Sequence, residues 1–327
     1  MKVVVIGLGS MGKRRIRLIK KYNSNIEILG VDSMPEKQKE SEEQYEIKTY
    51  SELSDISSHN DIECAFVCTS PLSHNYIINK CLCSGWHVFT ELNLVQDGYD
   101  DNISMAKSKN LTLFLSSTFL YRKEIEYITD ELKSITCPLN YIYHIGQYLP
   151  DWHPWEDYNK YFVSDKRTNG CREILAIELP WIATLFGDVM DISAVKRKIS
   201  NLNIDYPDSY MIILEHENKT AGVLVVDVVS RKAVRNFELY GEDIYISWNG
   251  TPESLYKYYF VKKINENIKL YGEIDKQENY ASFVIENAYM KEIETFFDKV
   301  KNPEKEILYD FEKDKKILSL IDRIEQI

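Results

Sequence analysis

Near its start the chain reads Gly7-Leu8-Gly9-Ser10-Met11-Gly12, a G-x-G-x-x-G spacing. These residues follow a short β-branched run, Lys2–Ile6, and open a segment with Ile16, Leu18 and Ile19 on one helical face. In that setting each glycine has a mechanical task. The first permits a tight turn, the second lets backbone approach a pyrophosphate, and the third allows close helix–strand packing. The helix start adds N–H groups and the positive end of the helix dipole. Asp32 lies 20 residues beyond Gly12, at the end of the next strand-like run. A carboxylate there accepts hydrogen bonds from an adenosine ribose. The chemistry is that of a nicotinamide dinucleotide site. Asp32 favours NAD, because it repels the extra 2′-phosphate of NADP. Lys13, Arg14 and Arg15, read as a solvated basic face, leave NADP open.

The elements that hold this motif alternate. Strand-like runs at 2–6, 26–31, 62–68, 86–90 and 111–115 are separated by helical patterns at 13–22, 74–84 and 97–109. The apolar run IECAFVC at 62–68 suits a strand covered on both faces. Such alternation predicts an N-terminal Rossmann, doubly wound parallel sheet over residues 1–118. After Ser117 the pattern changes. A helix at 121–134 and a strand at 140–148 precede a long polar and aromatic loop, 149–169. A helix at 171–186 contains Pro180, a candidate kink. Runs at 190–199, 210–216, 221–230, 233–240 and 242–248 sit at hairpin spacing, so their sheet should be open and mainly antiparallel. Helices are expected at about 282–300 and 309–326. Residues 119–327 thus read as a substrate-binding and oligomerisation α/β domain.

Composition narrows the partners. The net charge of −11 repels phosphate backbones and anionic lipid, so neither nucleic acid nor membrane is an expected partner. No window approaches 18 uninterrupted apolar residues, so no transmembrane helix is predicted. The six cysteines form no CxxC pair and mostly sit in apolar runs, which makes disulfides and metal sites unlikely choices and a reducing, cytoplasmic location the default. With 23 Tyr and 5 Trp, aromatic faces are plentiful for core packing or for stacking on sugar rings.

Three stretches, GLGSMGKRR at the N-terminus, CTSPLSH at 68–74 and GWHVFTELN at 85–93, resemble the Gfo/Idh/MocA oxidoreductase family. The resemblance implies a Rossmann domain followed by an α/β domain with an open sheet. It implies NAD(P)-dependent chemistry on sugars, nucleotide sugars, polyols or hydroxy acids, and a homodimer or homotetramer assembled through that sheet. By the same resemblance Thr69, Ser70 and Pro71 form a loop beside the cofactor, and His74 starts the next helix at the dinucleotide. Glu91 falls near the nicotinamide ribose, and Asn93, closing the same segment, faces substrate.

The chain departs from the family where catalysis is concerned. The lysine of the family's E-K-P segment is Leu92, and the helix histidine aligns with Ile177, with Glu173 at the aspartate position. Leucine and isoleucine cannot move a proton. Oxidising an alcohol needs a base for the hydroxyl proton as the hydride leaves. The remaining candidates are His153, in the loop Asp151-Trp152-His153-Pro154-Trp155-Glu156-Asp157, and Glu173. Trp152 offers a stacking face, and Arg172 and Arg122 offer cations for a substrate carboxylate or phosphate. Glu178 lies about 140° round the helix from Glu173, so the two should not face one site. The leading expectation is hydride transfer with a non-standard acid/base pair. The alternatives are transient-redox lyase or glycosidase chemistry and a non-catalytic dinucleotide-binding scaffold.

Overall fold

The computed structural model describes residues 1–56, 61–154, 156–276 and 283–327; Trp155 and the first residue of the expected helix 282–300 lie outside these. In chain order the elements are β1 (Lys2–Ile6), α1 (Ser10–Tyr22), β2 (Glu27–Val31), α2 (Pro35–Tyr45), β3 (Lys48–Tyr50), β4 (Ile62–Val67), α3 (His74–Cys83), β5 (His87–Thr90), α4 (Tyr99–Ser108) and β6 (Leu113–Leu115). There follow α5 (Lys123–Leu132), β7 (Asn140–Gly146), α6 (Gly170–Phe186), β8 (Val189–Arg197), β9 (Ser209–His216), β10 (Ala221–Asp227), β11 (Val234–Tyr240) and β12 (Tyr245–Trp248). Two further strands, β13 (Tyr256–Tyr259) and β14 (Ile264–Asn267), and the helices α7 (Glu286–Lys301) and α8 (Phe311–Gln326) complete the chain. Among the described residues no helix is long and apolar enough to cross a membrane.

Two compact units result. The first takes residues 1–118 and, from the far end of the chain, Tyr289–Lys315, a stretch counted above with the second domain. Its sheet is parallel, in the order β3-β2-β1-β4-β5-β6. Val3, Val4 and Val5 are fully buried, as a strand with both faces covered requires. The order reverses between β1 and β4, and ligands bind beyond the carboxyl ends of strands at such a switch point. Those ends deliver Gly7, Asp32, Cys68, Glu91 and Ser116 to one edge. The returning segment is built into the core: Phe296 meets Phe66, Phe89 and Phe114 with ring centroids 5.2, 5.6 and 5.8 Å apart.

The second unit comprises residues 119–288 and 316–327. Its eight strands run in the order β14-β13-β12-β11-β7-β10-β9-β8, antiparallel except for the β7–β10 pair. One face is a tyrosine-rich core. Tyr141 and Tyr143 are buried there, and Gly222 opposite Tyr141 is obligatory, because a Cβ would lie 1.9 Å from the Tyr141 ring. Trp181 and Trp248 join this core, so Trp181 fills volume and does not present a face to substrate. The other face leaves Ile142, Met211, Ile213 and Val223 exposed. Helix α6 runs unbroken through Pro180 and is capped by Asn169, whose side chain accepts from the Arg172 N–H at 2.8 Å. The loop expected at 149–169 carries three short 3₁₀ turns, at Leu149–Asp151, Phe162–Ser164 and Lys166–Thr168.

Candidate functional site

The glycine loop in the first unit is shaped by contact. Gly7 has φ +90°, and a Cβ on it would lie 2.7 Å from the Cys68 carbonyl. A Cβ on Gly12 would lie 1.9 Å from the Gly7 carbonyl. Gly9 is different: a Cβ there would meet nothing within 4 Å. Gly9 precedes α1, whose N-terminus, at Ser10 and Met11, has no side-chain cap. The loop therefore keeps an open concave side where backbone N–H groups can meet a phosphate. Asp32 accepts from the Leu8 N–H at 2.8 Å and from the Met34 N–H at 2.9 Å. That fixes the carboxylate beside the loop and leaves acceptor capacity for ribose hydroxyls. These residues fit a dinucleotide.

The neighbouring basic residues are not a solvated face. Lys13 is ion-paired with Glu40 at 2.5 Å. Arg14 and Arg15 are buried, Arg14 over the Tyr289 ring and Arg15 beside Glu91. The apolar period of α1 hid this, because Phe89, Tyr289 and two carboxylates offer the guanidinium groups a paired and aromatic interior.

On the β4–β5 side, Ser70 and Pro71 lead into α3, and Thr69 turns its carbonyl to His74. The buried His74 ring has Nε2 at 2.9 Å from that carbonyl and Nδ1 at 2.6 Å from the Asn93 side chain. A carbonyl can only accept, so both Nε2, facing Thr69, and Nδ1, facing Asn93 Oδ1, meet acceptors, while the Thr90 hydroxyl lies 3.4 Å from Nδ1 and can donate to it in the neutral ring. Burial pushes the His74 pKa down, which keeps the ring neutral. Glu91 is held bidentately by Arg15, at 2.5 and 3.1 Å. Leu92 is half-buried.

The second unit holds the other candidates. Arg122 donates to Glu124 through Nε and Nη2, at 3.0 and 2.6 Å, and to the carbonyls of Phe283 and Gly250 at 2.7 and 3.1 Å. Arg172 is ion-paired with Asp322 at 2.7 Å and with Glu325. A substrate anion would have to compete with these carboxylates. Trp152 donates its indole N–H to the Gln147 carbonyl at 3.2 Å. His153 stacks on Tyr161 with centroids 4.9 Å apart and lies 3.4 Å from Glu156. Glu173 has a buried oxygen, Oε2, with no partner among the described residues, and so has the Tyr161 hydroxyl. Burial alone pushes the Glu173 carboxyl up to about 7. The Glu173 charge helps to raise the Tyr161 pKa after burial, so the two groups share one neighbourhood. His153, Tyr161 and Glu173 are thus brought together. Glu178 is held elsewhere, by Tyr143 at 2.7 Å, Trp181 at 2.8 Å and Arg235.

Two features were missed by sequence reasoning. Tyr161 shares its loop with Tyr158, and nothing in the sequence singles it out. Arg15 Nη2, which donates to Glu91, also donates to Glu292, and no local pattern joins residues 277 apart.

Comparison with known proteins agrees with the first unit. Residues 1–116 match the Gfo/Idh/MocA model, described as an oxidoreductase family with an NAD-binding Rossmann fold. No curated protein sequence is a match. Among solved structures, UDP-N-acetylglucosamine 3-dehydrogenase GnnA from Acidithiobacillus ferrooxidans is 16% identical with a TM-score of 0.74, over 99% of this chain and 96% of its own. A putative NADPH-dependent oxidoreductase from Desulfitobacterium hafniense is 12% identical with a TM-score of 0.82, over 100% and 95%. An oxidoreductase from Agrobacterium radiobacter, solved with NAD+, L-tartaric acid and magnesium, is 13% identical with a TM-score of 0.79, over 98% and 94%. At such identities the likeness is one of fold.

Proposed function

We propose, from the premise that residues 1–116 place the chain in the Gfo/Idh/MocA oxidoreductase family, that it is an NAD-dependent oxidoreductase of a hydroxyl-bearing, sugar-like substrate. The observation that carries the catalytic part is two buried atoms in one neighbourhood with no partner among the described residues, Glu173 Oε2 and Tyr161 Oη, where burial pushes the Glu173 carboxyl up to about 7. Buried polar atoms without partners are costly and are kept where a ligand fills them. Held by the glycine loop and Asp32, NAD would supply the hydride chemistry. Glu173 takes the hydroxyl proton in oxidation and returns it in reduction, in place of the lysine replaced by Leu92. His153 relays that proton onward past Tyr161. Titration of the purified protein with nucleotide sugars, polyols and hydroxy acids in the presence of NAD tests this. Formation of NADH with at least one of them is expected. Product without net NADH would turn the reading to transient redox, and NAD binding with no turnover to a scaffold. The GnnA and tartrate-bound structures support the choice of substrates.

NAD rather than NADP follows from Asp32 and from the engagement of Lys13, Arg14 and Arg15 elsewhere. NAD is expected to bind at least about tenfold more tightly than NADP. Asp32→Ala should weaken NAD by about 10–100-fold while sparing NADP, since it removes hydrogen bonds to an ionised acceptor. Equal losses for both cofactors in a binding titration would refute the role of Asp32.

The exposed face of the second sheet is proposed as the surface of a homodimer or homotetramer. Register sets Ile213 beside Val223 and Val223 beside Ile142, with Met211 beside Val225, which makes a contiguous apolar strip. Ile213→Lys with Val223→Lys is expected to give a monomer by light scattering. An unchanged mass would exclude this face. The six free cysteines suit a reducing cytoplasm.

A further inference from the structure

The dinucleotide edge of the first unit is held by a carboxylate from the end of the chain. Glu292 on α7 is fully buried. Its Oε1 accepts from the Ser116 hydroxyl at 2.9 Å and the Ser117 N–H at 2.8 Å. Its Oε2 accepts from the Thr118 hydroxyl at 3.1 Å and Arg15 Nη2 at 3.0 Å. A carboxylate has about four lone-pair positions, and all four are filled. Ser116 passes the link on, because its hydroxyl also accepts from Arg15 Nη2 at 3.1 Å. Arg15 in turn clamps Glu91 with two hydrogen bonds.

Three separate stretches meet here: the helix after the glycine loop, the end of β5 and the end of β6. The ends of β5 and β6 are already linked, the Ser116 N–H donating to the Thr90 carbonyl at 2.9 Å, and Arg15 ties α1 to both through Glu91 and Ser116. Glu292 backs this link from outside the sheet, bonding Arg15 and Ser116 together. In a sheet of this order the adenosine half of a dinucleotide lies over β1 to β3 and the nicotinamide half over β4 to β6. Glu91 and Ser116 directly follow β5 and β6. We propose that Glu292 is a positioning residue for the nicotinamide half of the cofactor site, acting through Arg15 on Glu91 and directly on Ser116–Thr118. The proposal rests on the dinucleotide reading above and deepens it.

A merely structural Glu292 would soften the whole unit. A positioning Glu292 would be felt at one end of the ligand. ADP lacks both the nicotinamide and its ribose and separates these cases. In Glu292→Gln the new amide sets a donor or a weaker acceptor against Arg15 or the serines, so one of the four bonds is lost. Calorimetric titration of the full chain is expected to show NAD binding weakened about tenfold or more, with ADP within about twofold of the unaltered protein. Ser116→Ala, a gentler change, should shift NAD in the same direction by about threefold and serves if Glu292→Gln does not fold. Equal weakening of the two ligands, or unchanged NAD binding, in a folded variant overturns the positioning role and leaves the dinucleotide reading standing. An unaltered protein that binds neither NAD nor ADP overturns both.

Discussion

Glu173→Gln is expected to lower kcat by about 10²–10⁴, the usual contribution of a positioned acid/base, with little change in NAD binding. The amide keeps the shape and removes the proton. In the unaltered protein alcohol oxidation should rise with pH to a plateau above about 7, because the base must be ionised, and the reverse reduction should fall over the same range. A flat profile, or a Gln variant of full activity, would remove Glu173 from the reaction. The same group leaves a mark on stability. The folded protein holds the Glu173 proton up to about 7, whereas the unfolded chain releases it near the ordinary value of 4.5. The folded state therefore binds more protons between these values, and stability falls as pH rises from about 4.5 to about 7, then levels. The loss is on the order of 3 kcal/mol. Glu173→Gln should lack this fall, so its Tm should gain on the unaltered protein between pH 5 and pH 8.

The glycine loop offers a second, opposed pair of outcomes. Gly12→Ala is expected to cost at least about 3 kcal/mol, since its Cβ would meet the Gly7 carbonyl at 1.9 Å and backbone cannot swing aside. Gly9→Ala has open space on the protein side, so Tm should hold within about 0.5 kcal/mol. The same methyl group would stand where phosphate approaches. NAD affinity should fall about 10–100-fold through loss of one or two charge-assisted hydrogen bonds. Thermal melts and NAD titrations on both variants check this. An intact NAD affinity in Gly9→Ala would place the phosphates elsewhere.

What the sequence made legible follows from where information is local. The glycine loop and Asp32 are local, since turn geometry and strand length set their spacing within one β-α-β unit. The parallel sheet shows as apolar runs because both its faces are covered. Helix α2 is harder to see: PEKQKESEEQY buries only Ser41 and Tyr45, so it has no apolar stripe to reveal it. Strands β13 and β14 escape for a similar reason, being short and half-exposed, with tyrosines, lysines and asparagines along them. Arg14 and Arg15 look like surface charges because their aromatic and acidic surroundings come from other elements. Arg122 and Arg172 look like ligand-binding cations for the same reason; Glu124, Asp322 and Glu325 answer them only once the chain is folded.

The late return of α7 also bears on how the molecule is made. Tyr289 is synthesised 171 residues after Thr118. At about 5–20 residues per second that is a wait of roughly 10–30 s. During it the nascent first unit has a charged Arg15 side chain and an aromatic sheet face, Phe66, Phe89 and Phe114, with no Glu292 and no Phe296 to meet them. The Arg15–Glu292 link, although Arg15 lies in the first helix of this unit, closes only after α7 has been made.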